Sequence, residues 1–105
     1  MAAPLPVTGA WRAGDAVGDR RFHSIATTRP LALEAGGLLR GVSVAFETWG
    51  SLDGDAANAV LVCHAWTGDS HALGPTGPGH VTPGWWDGVV GPGLAIDTDR
   101  FFVVC

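Results

Sequence analysis

The residues best placed for chemistry are Cys63, His64, Ala65, Trp66, Thr67 and Gly68. They follow the apolar run from Ala59 to Val62 and lead into a stretch dense in Gly and Pro. In open sheets with parallel strands, ligands bind outside the carboxyl ends of the strands, so a reacting group belongs here. A strand that ends in His, a small residue, a variable residue and then Gly also offers a backbone N–H to the oxyanion that develops in acyl transfer. In this chain that donor is the amide of Trp66, with His64, Ala65, Thr67 and Gly68 supporting the turn that aims it. The plainer alternative is a His64 ring that only bonds neighbouring loop backbone, and the pattern alone leaves both open.

Other chemistries fit less well. Cys63, His64, Asp69 and His71 are all ligand types, but their spacing matches no standard zinc pattern, and neighbours on a strand point to opposite faces. No metal is expected. The run from Gly74 to Gly79 lacks the Lys and Ser/Thr of a phosphate cradle, and its prolines remove the N–H donors a cradle needs. Asp87, Asp97 and Asp99 read as caps and turn formers, and the adjacent Trp85 and Trp86 as packing residues.

The elements that must position the His64–Gly68 segment are legible in outline. Residues 1–30 carry no sustained period and read as an irregular amino-terminal arm anchored by Trp11, Phe22 and Ile25. From residue 31 the pattern is that of an antiparallel hairpin with one buried face. Leu31 and Leu33 precede the turn signal Glu34, Ala35, Gly36, Gly37, and Val42, Val44 and Phe46 then share a face, with Ser43, Ala45 and Glu47 opposite. The continuous apolar runs Ala59 to Cys63 and Phe101 to Cys105 read as strands covered on both faces, as in a parallel sheet. Between them lie a long breaker-rich loop and a short helix from Trp85 to Val90, stopped by Gly91, Pro92 and Gly93. Hairpin, strand, loop with helix, strand is the opening of an α/β sheet, here incomplete and spanning residues 31–105.

Composition narrows the partners. The chain has 105 residues, a net charge of −4, no Tyr, and six basic residues, all Arg and scattered, so nucleic acid and anionic membranes are not expected partners. No apolar stretch approaches the ~20 residues of a membrane span, and the start lacks the basic region and apolar core of a signal peptide, so a cytoplasmic location is expected. Cys63 and Cys105 sit in apolar runs and read as small buried hydrophobes, not a disulfide. The short length and the apolar ending suggest a fragment, poorly soluble alone because of an uncovered apolar edge at Phe101 to Cys105.

The run AFETWGSLDGDAANAVLVCHAWTGDSHALG, followed by PGWWDGVVGPGLAIDTDRFFVVC, resembles the amino-terminal part of homoserine O-acetyltransferases, the acyltransferase branch of the α/β-hydrolase fold. The two runs are similar to that family's Y-E-T-W-G, N-A-V-L-V-C-H-A-L-T-G-D-S-H and P-G-W-W-D-x-x-[IV]-G-P-G-x-x-[IV]-D-T-[DN] blocks. With the hairpin, the resemblance covers about Leu31 to Cys105. It implies acetyl transfer from acetyl-CoA to L-homoserine through an acetyl-serine, an early step of methionine biosynthesis, with no cofactor beyond the acetyl-CoA consumed. It also implies a homodimer for the full-length protein. Relatives with similar motifs use succinyl-CoA or act on serine, and a module that only packs or dimerises is the alternative of another class.

In that family the nucleophile, acid and base lie downstream of the matched region. Ser24, Ser43, Ser51 and Ser70 are the serines here, and none sits in G-x-S-x-G, so the resemblance implies that this chain carries no triad. What it implies for this chain is the first oxyanion donor, the Trp66 amide, with Trp standing where the family usually has Leu. Phe46 replaces a usual Tyr.

Overall fold

The computed structural model describes residues 11–105, so the part of the expected arm at residues 1–10 lies outside the described residues. Nine short strands occur among the described residues: β1 (Arg21–Ile25), β2 (Leu31–Ala32), β3 (Leu38–Leu39), β4 (Val42–Phe46), β5 (Thr48–Trp49), β6 (Ala59–Leu61), β7 (Val90–Gly91), β8 (Ile96–Asp97) and β9 (Phe102–Val104).

The two continuous apolar runs find each other. β6 pairs parallel with β9, from Ala59 opposite Phe102 to Leu61 opposite Val104, and β5 adds antiparallel on the other side of β9, giving the order β5-β9-β6. Parallel pairing needs a long crossover, here residues 62–101, and that crossover carries the candidate loop. The core is Val62, Val90 and Val103, with Trp49, Val60, Leu73, Ile96, Phe101 and Cys105 packed against it. Burying such branched side chains is worth about 1.5–3 kcal/mol each, so the β6–β9 pair is the stable centre from which the loop projects.

Three expectations about the elements are corrected. The arm is not irregular throughout, because Arg21–Ile25 forms β1 and pairs with all of β4. Its pattern mixes polar and apolar residues on both faces, and only the partner strand makes it extended. The turn at residues 34–37 is where it was expected, closed by Leu33 N–H to Gly37 O at 3.1 Å, but it joins only β2 and β3, while β4 takes β1 as its partner. The expected helix from Trp85 to Val90 is a set of turns. Gly84, Trp85 and Trp86 spend their N–H groups on the carbonyls of Gly74, His71 and Ala72, so the segment is tied to the preceding loop. With Gly88 in its middle and Gly91 after it, one turn nucleates and nothing propagates.

Burial differs most. β6 is covered on one face only: Leu61 is 73% exposed and Cys63 is exposed, whereas Val103 on central β9 is fully buried. The uncovered apolar edge therefore lies at β6, not at Phe101 to Cys105. Both cysteines are free. Burial, helped by the charges of Glu47 and Asp69, pushes the Cys105 thiol up to about 11, which leaves it unreactive. No helix among the described residues is long and apolar enough to cross a membrane.

An exposed apolar edge strand is a template for self-pairing. The 105-residue chain is expected to self-associate in sedimentation velocity, and Leu61→Lys to shift it toward monomer. A monomeric wild-type chain with a sharp cooperative melt would contradict this.

Candidate functional site

The loop begins where β6 leaves the sheet. Val62 N–H still bonds Val104 O at 2.7 Å, and the chain then turns, with Gly68 N–H closing on Ala65 O at 2.9 Å. The same carbonyl lies 2.7 Å from His64 Nδ1. A β-turn over 65–68 leaves the amides of its two central residues outside the turn, and among the described residues neither Trp66 nor Thr67 donates a backbone or side-chain hydrogen bond. A side chain at Gly68 would place its Cβ 3.0 Å from that of His64, so any other residue there would make the turn give by a few tenths of an ångström. The Trp66 indole is fully exposed and rests against no other described residue.

Directly after the turn the chain is clamped. Glu47, between β4 and β5, is 2% exposed and accepts Ser70 Oγ–H at 2.7 Å and His71 Nδ1–H at 2.8 Å. His71 Nε2 lies 3.1 Å from Pro75 O, so both ring nitrogens face acceptors and the ring donates twice, as an imidazolium. Burial opposes that charge. The hydrogen bonds to Glu47 and Pro75 and the negative charges of Glu47 and Asp69 outweigh it and raise the His71 pKa above the ordinary 6.5.

His80 stacks on His71 with ring centroids 3.7 Å apart and planes 12° from parallel. Its Nε2 accepts the Asp19 N–H at 2.9 Å, which puts the proton of the neutral ring on Nδ1, a buried atom with no partner. Burial, then repulsion from His71, lowers its pKa below 6.5 despite the attraction of Glu47 and Asp19. The pair is thus an imidazolium stacked on a neutral imidazole. The arm crosses it at Gly18, with φ +63°, where a Cβ would fall 2.4 Å from His80 Nε2.

Asp69 completes the clamp. Its carboxylate accepts the His71 N–H at 2.9 Å and Arg20 Nη2–H at 3.0 Å, and its carbonyl accepts Trp85 Nε1–H at 2.9 Å. Arg20, 5% exposed, also reaches the carbonyls of Val17 and Gly79.

Asp19, Glu47, His71 and His80 each bring a possible metal donor within 4.8 Å of the others. The geometry suits a hydrogen-bonded pair better. Imidazole lone pairs lie in the ring plane, and two stacked rings direct them side by side instead of converging on one ion. The 2.8 Å separation of His71 Nδ1 and Glu47 Oε1 is that of a shared proton.

His64, Ala65, Trp66, Thr67 and Gly68 therefore lie together in one turn, and the His64 ring does bond adjacent loop backbone. The clamp itself was not read from the sequence. The alternation puts Glu47 on the face opposite the apolar one, yet it is buried, and His80 belongs to no motif in the sequence. The available signal is a carboxylate directly after the apolar strand residue Phe46 and two positions before Trp49.

Over 101 residues, 96% of its length, the chain is 65% identical to a homoserine O-acetyltransferase from Thermobifida fusca (strain YX), of which it spans 26%. It is 62% identical over 99 residues, 94% of the chain, to the homoserine O-acetyltransferase of Clavibacter michiganensis subsp. michiganensis (strain NCPPB 382), spanning 25% of that protein. Among solved structures, the homoserine O-acetyltransferase from Bacillus anthracis matches with a TM-score of 0.70 and 35% identity over 82% of this chain and 22% of that one. Esterase E22 matches with the same TM-score of 0.70 and 35% identity, over 81% of this chain and 22% of that one. No family model matches. The chain spans about a quarter of the length of the curated relatives it matches.

The two histidines answer pH in opposite directions. What His71 contributes to stability is complete below 6.5 and is lost as pH rises through its higher folded value. What His80 contributes is present above 6.5 and is lost as pH falls through its lower folded value. In histidine 15N spectra of the folded protein at pH 6.5, His71 is expected doubly protonated and His80 neutral with its proton on Nδ1. A neutral His71 at that pH would contradict the arrangement.

Proposed function

We propose, for a chain that belongs to the homoserine O-acetyltransferase family and carries the amino-terminal part of an α/β-hydrolase fold, that it supplies one half of an oxyanion hole for acetyl transfer. The observation that carries this reading is the unpaired Trp66 amide at the end of β6, on a turn held at both ends.

In the proposed reaction a serine outside this chain attacks the thioester carbonyl of acetyl-CoA. The carbonyl oxygen becomes an oxyanion, and the Trp66 N–H is one of the two donors that receive it. Collapse of the tetrahedral intermediate expels CoA as its thiol and leaves an acetyl-serine. The side-chain hydroxyl of L-homoserine then attacks the acetyl group, a second oxyanion forms in the same place, and O-acetyl-L-homoserine leaves with the serine restored. A backbone donor suits both half-reactions, because it is fixed before charge develops and needs no reorganisation. It is also indifferent to the acyl acceptor. The equal structural likeness to esterase E22 accords with that, while 65% identity to an acetyltransferase favours homoserine over water.

The backbone origin of the donor separates two substitutions in the full-length enzyme. Trp66→Leu keeps the N–H and is expected to leave kcat nearly unchanged. Trp66→Pro keeps the turn, since the second position of such a turn accepts proline, but removes the donor, and kcat is expected to fall by about 10²–10³-fold. Unchanged turnover in Trp66→Pro, or a comparable loss in Trp66→Leu, would contradict the assignment. The 105-residue chain alone is expected to give no serine-dependent turnover of acetyl-CoA.

A further inference from the structure

Two fixed points bracket the turn that carries Trp66, and both refer to the same strand. On the near side Val62 N–H bonds the carbonyl of Val104, the last residue of β9. On the far side Ser70 and His71 bond the Glu47 carboxylate. The Glu47 backbone exchanges two hydrogen bonds with Cys105, N–H to O at 2.9 Å and O from N–H at 3.0 Å. The two anchors are thus referred to adjacent residues of the extended β9, and the segment 63–69 is strung between them.

We propose that Glu47 is a positioning residue for the oxyanion turn, holding Ser70 and His71 so that the Trp66 amide stays fixed relative to the sheet. The inference rests on the acetyl-transfer reading for its catalytic consequence, and on the geometry alone for the anchoring.

Three features separate Glu47 from an ordinary buried residue. Its carboxylate takes donors from two consecutive residues, Ser70 and His71, so it fixes the direction of the chain as well as its position. Its charge faces the His71 imidazolium, while Asp69 balances Arg20 beside it, so each of these two carboxylates has a cationic partner. Asp19 and the neutral His80 sit at the outer side, with His80 Nε2 3.8 Å from Glu47 Oε1. A glutamine of the same size can accept from His71 and turn its NH₂ to Ser70 Oγ, but it offers no charge to the imidazolium.

The test uses the full-length enzyme carrying Glu47→Gln, with steady-state kinetics and hydrogen–deuterium exchange of residues 64–71. An oxyanion donor displaced by about 1 Å costs about 10²-fold in rate, so kcat is expected to fall by that order while KM for acetyl-CoA changes little, with faster exchange in the turn. Ser70→Ala, which removes one of the two bonds and no charge, is expected to show the same pattern at about a tenth of that size, and it serves if Glu47→Gln does not fold. Wild-type kcat with unchanged exchange in a folded variant overturns the proposal, as does a loss carried by KM. If the unaltered enzyme transfers no acetyl group, the acetyl-transfer reading has failed. The anchoring then stands or falls on the exchange alone: faster in the variant supports it, unchanged overturns it.

Discussion

Removing a carboxylate from water is tolerable only where its oxygens find donors and its charge finds a partner, and at Glu47 each oxygen accepts one hydrogen bond and His71 faces the charge. Much of the described arrangement follows from that requirement. Ser70 and His71 must come to the carboxylate, which drags the loop after β6 back against the sheet. The pKa of His71 is raised by these bonds, and burial together with repulsion from His71 lowers that of the ring stacked on it, His80. The neutral His80 takes its hydrogen bond from Asp19, and the arm is thereby drawn over the loop. Arg20 follows to Asp69. A single buried charge thus ties three distant stretches of chain together.

The sheet makes the burial possible. β9 is central, and its extension through Cys105 fixes the Glu47 backbone, while its parallel partner β6 delivers the chain to the turn at Ala65. The apolar contacts of Val62, Val90 and Val103 stabilise this frame, and the polar clamp specifies where the loop lies on it. Hydrophobic burial is non-directional and cannot orient an amide, whereas a two-donor carboxylate can. With the turn held on both sides, Trp66 needs no contact of its own and projects its indole fully into solvent.

Legibility in the sequence followed the range of the interaction. The strand-ending segment from His64 to Gly68, the turn at residues 34–37 and the two apolar runs are local patterns, and each lies where the sequence placed it. Arg21–Ile25 had no local signature, because its extended form comes from pairing with β4, some twenty residues on. Trp85 to Val90 had the composition of a helix start, but only one turn closes on the Trp86 carbonyl, with Gly88 inside it and Gly91 after it, so nothing propagates. Glu47 looked like the polar side of an alternating strand, and only the return of Ser70 and His71 put it inside.

The sequence by itself determined the family, the two strands of the parallel pair and the turn from His64 to Gly68, because these rest on contiguous motifs. Tertiary structure alone decided which strand is central, which face of β6 stays open, and the protonation of His71 against His80. Those depend on partners far apart along the chain, Glu47 for His71 and Asp19 for His80, where distance in space, not order in sequence, sets the energy.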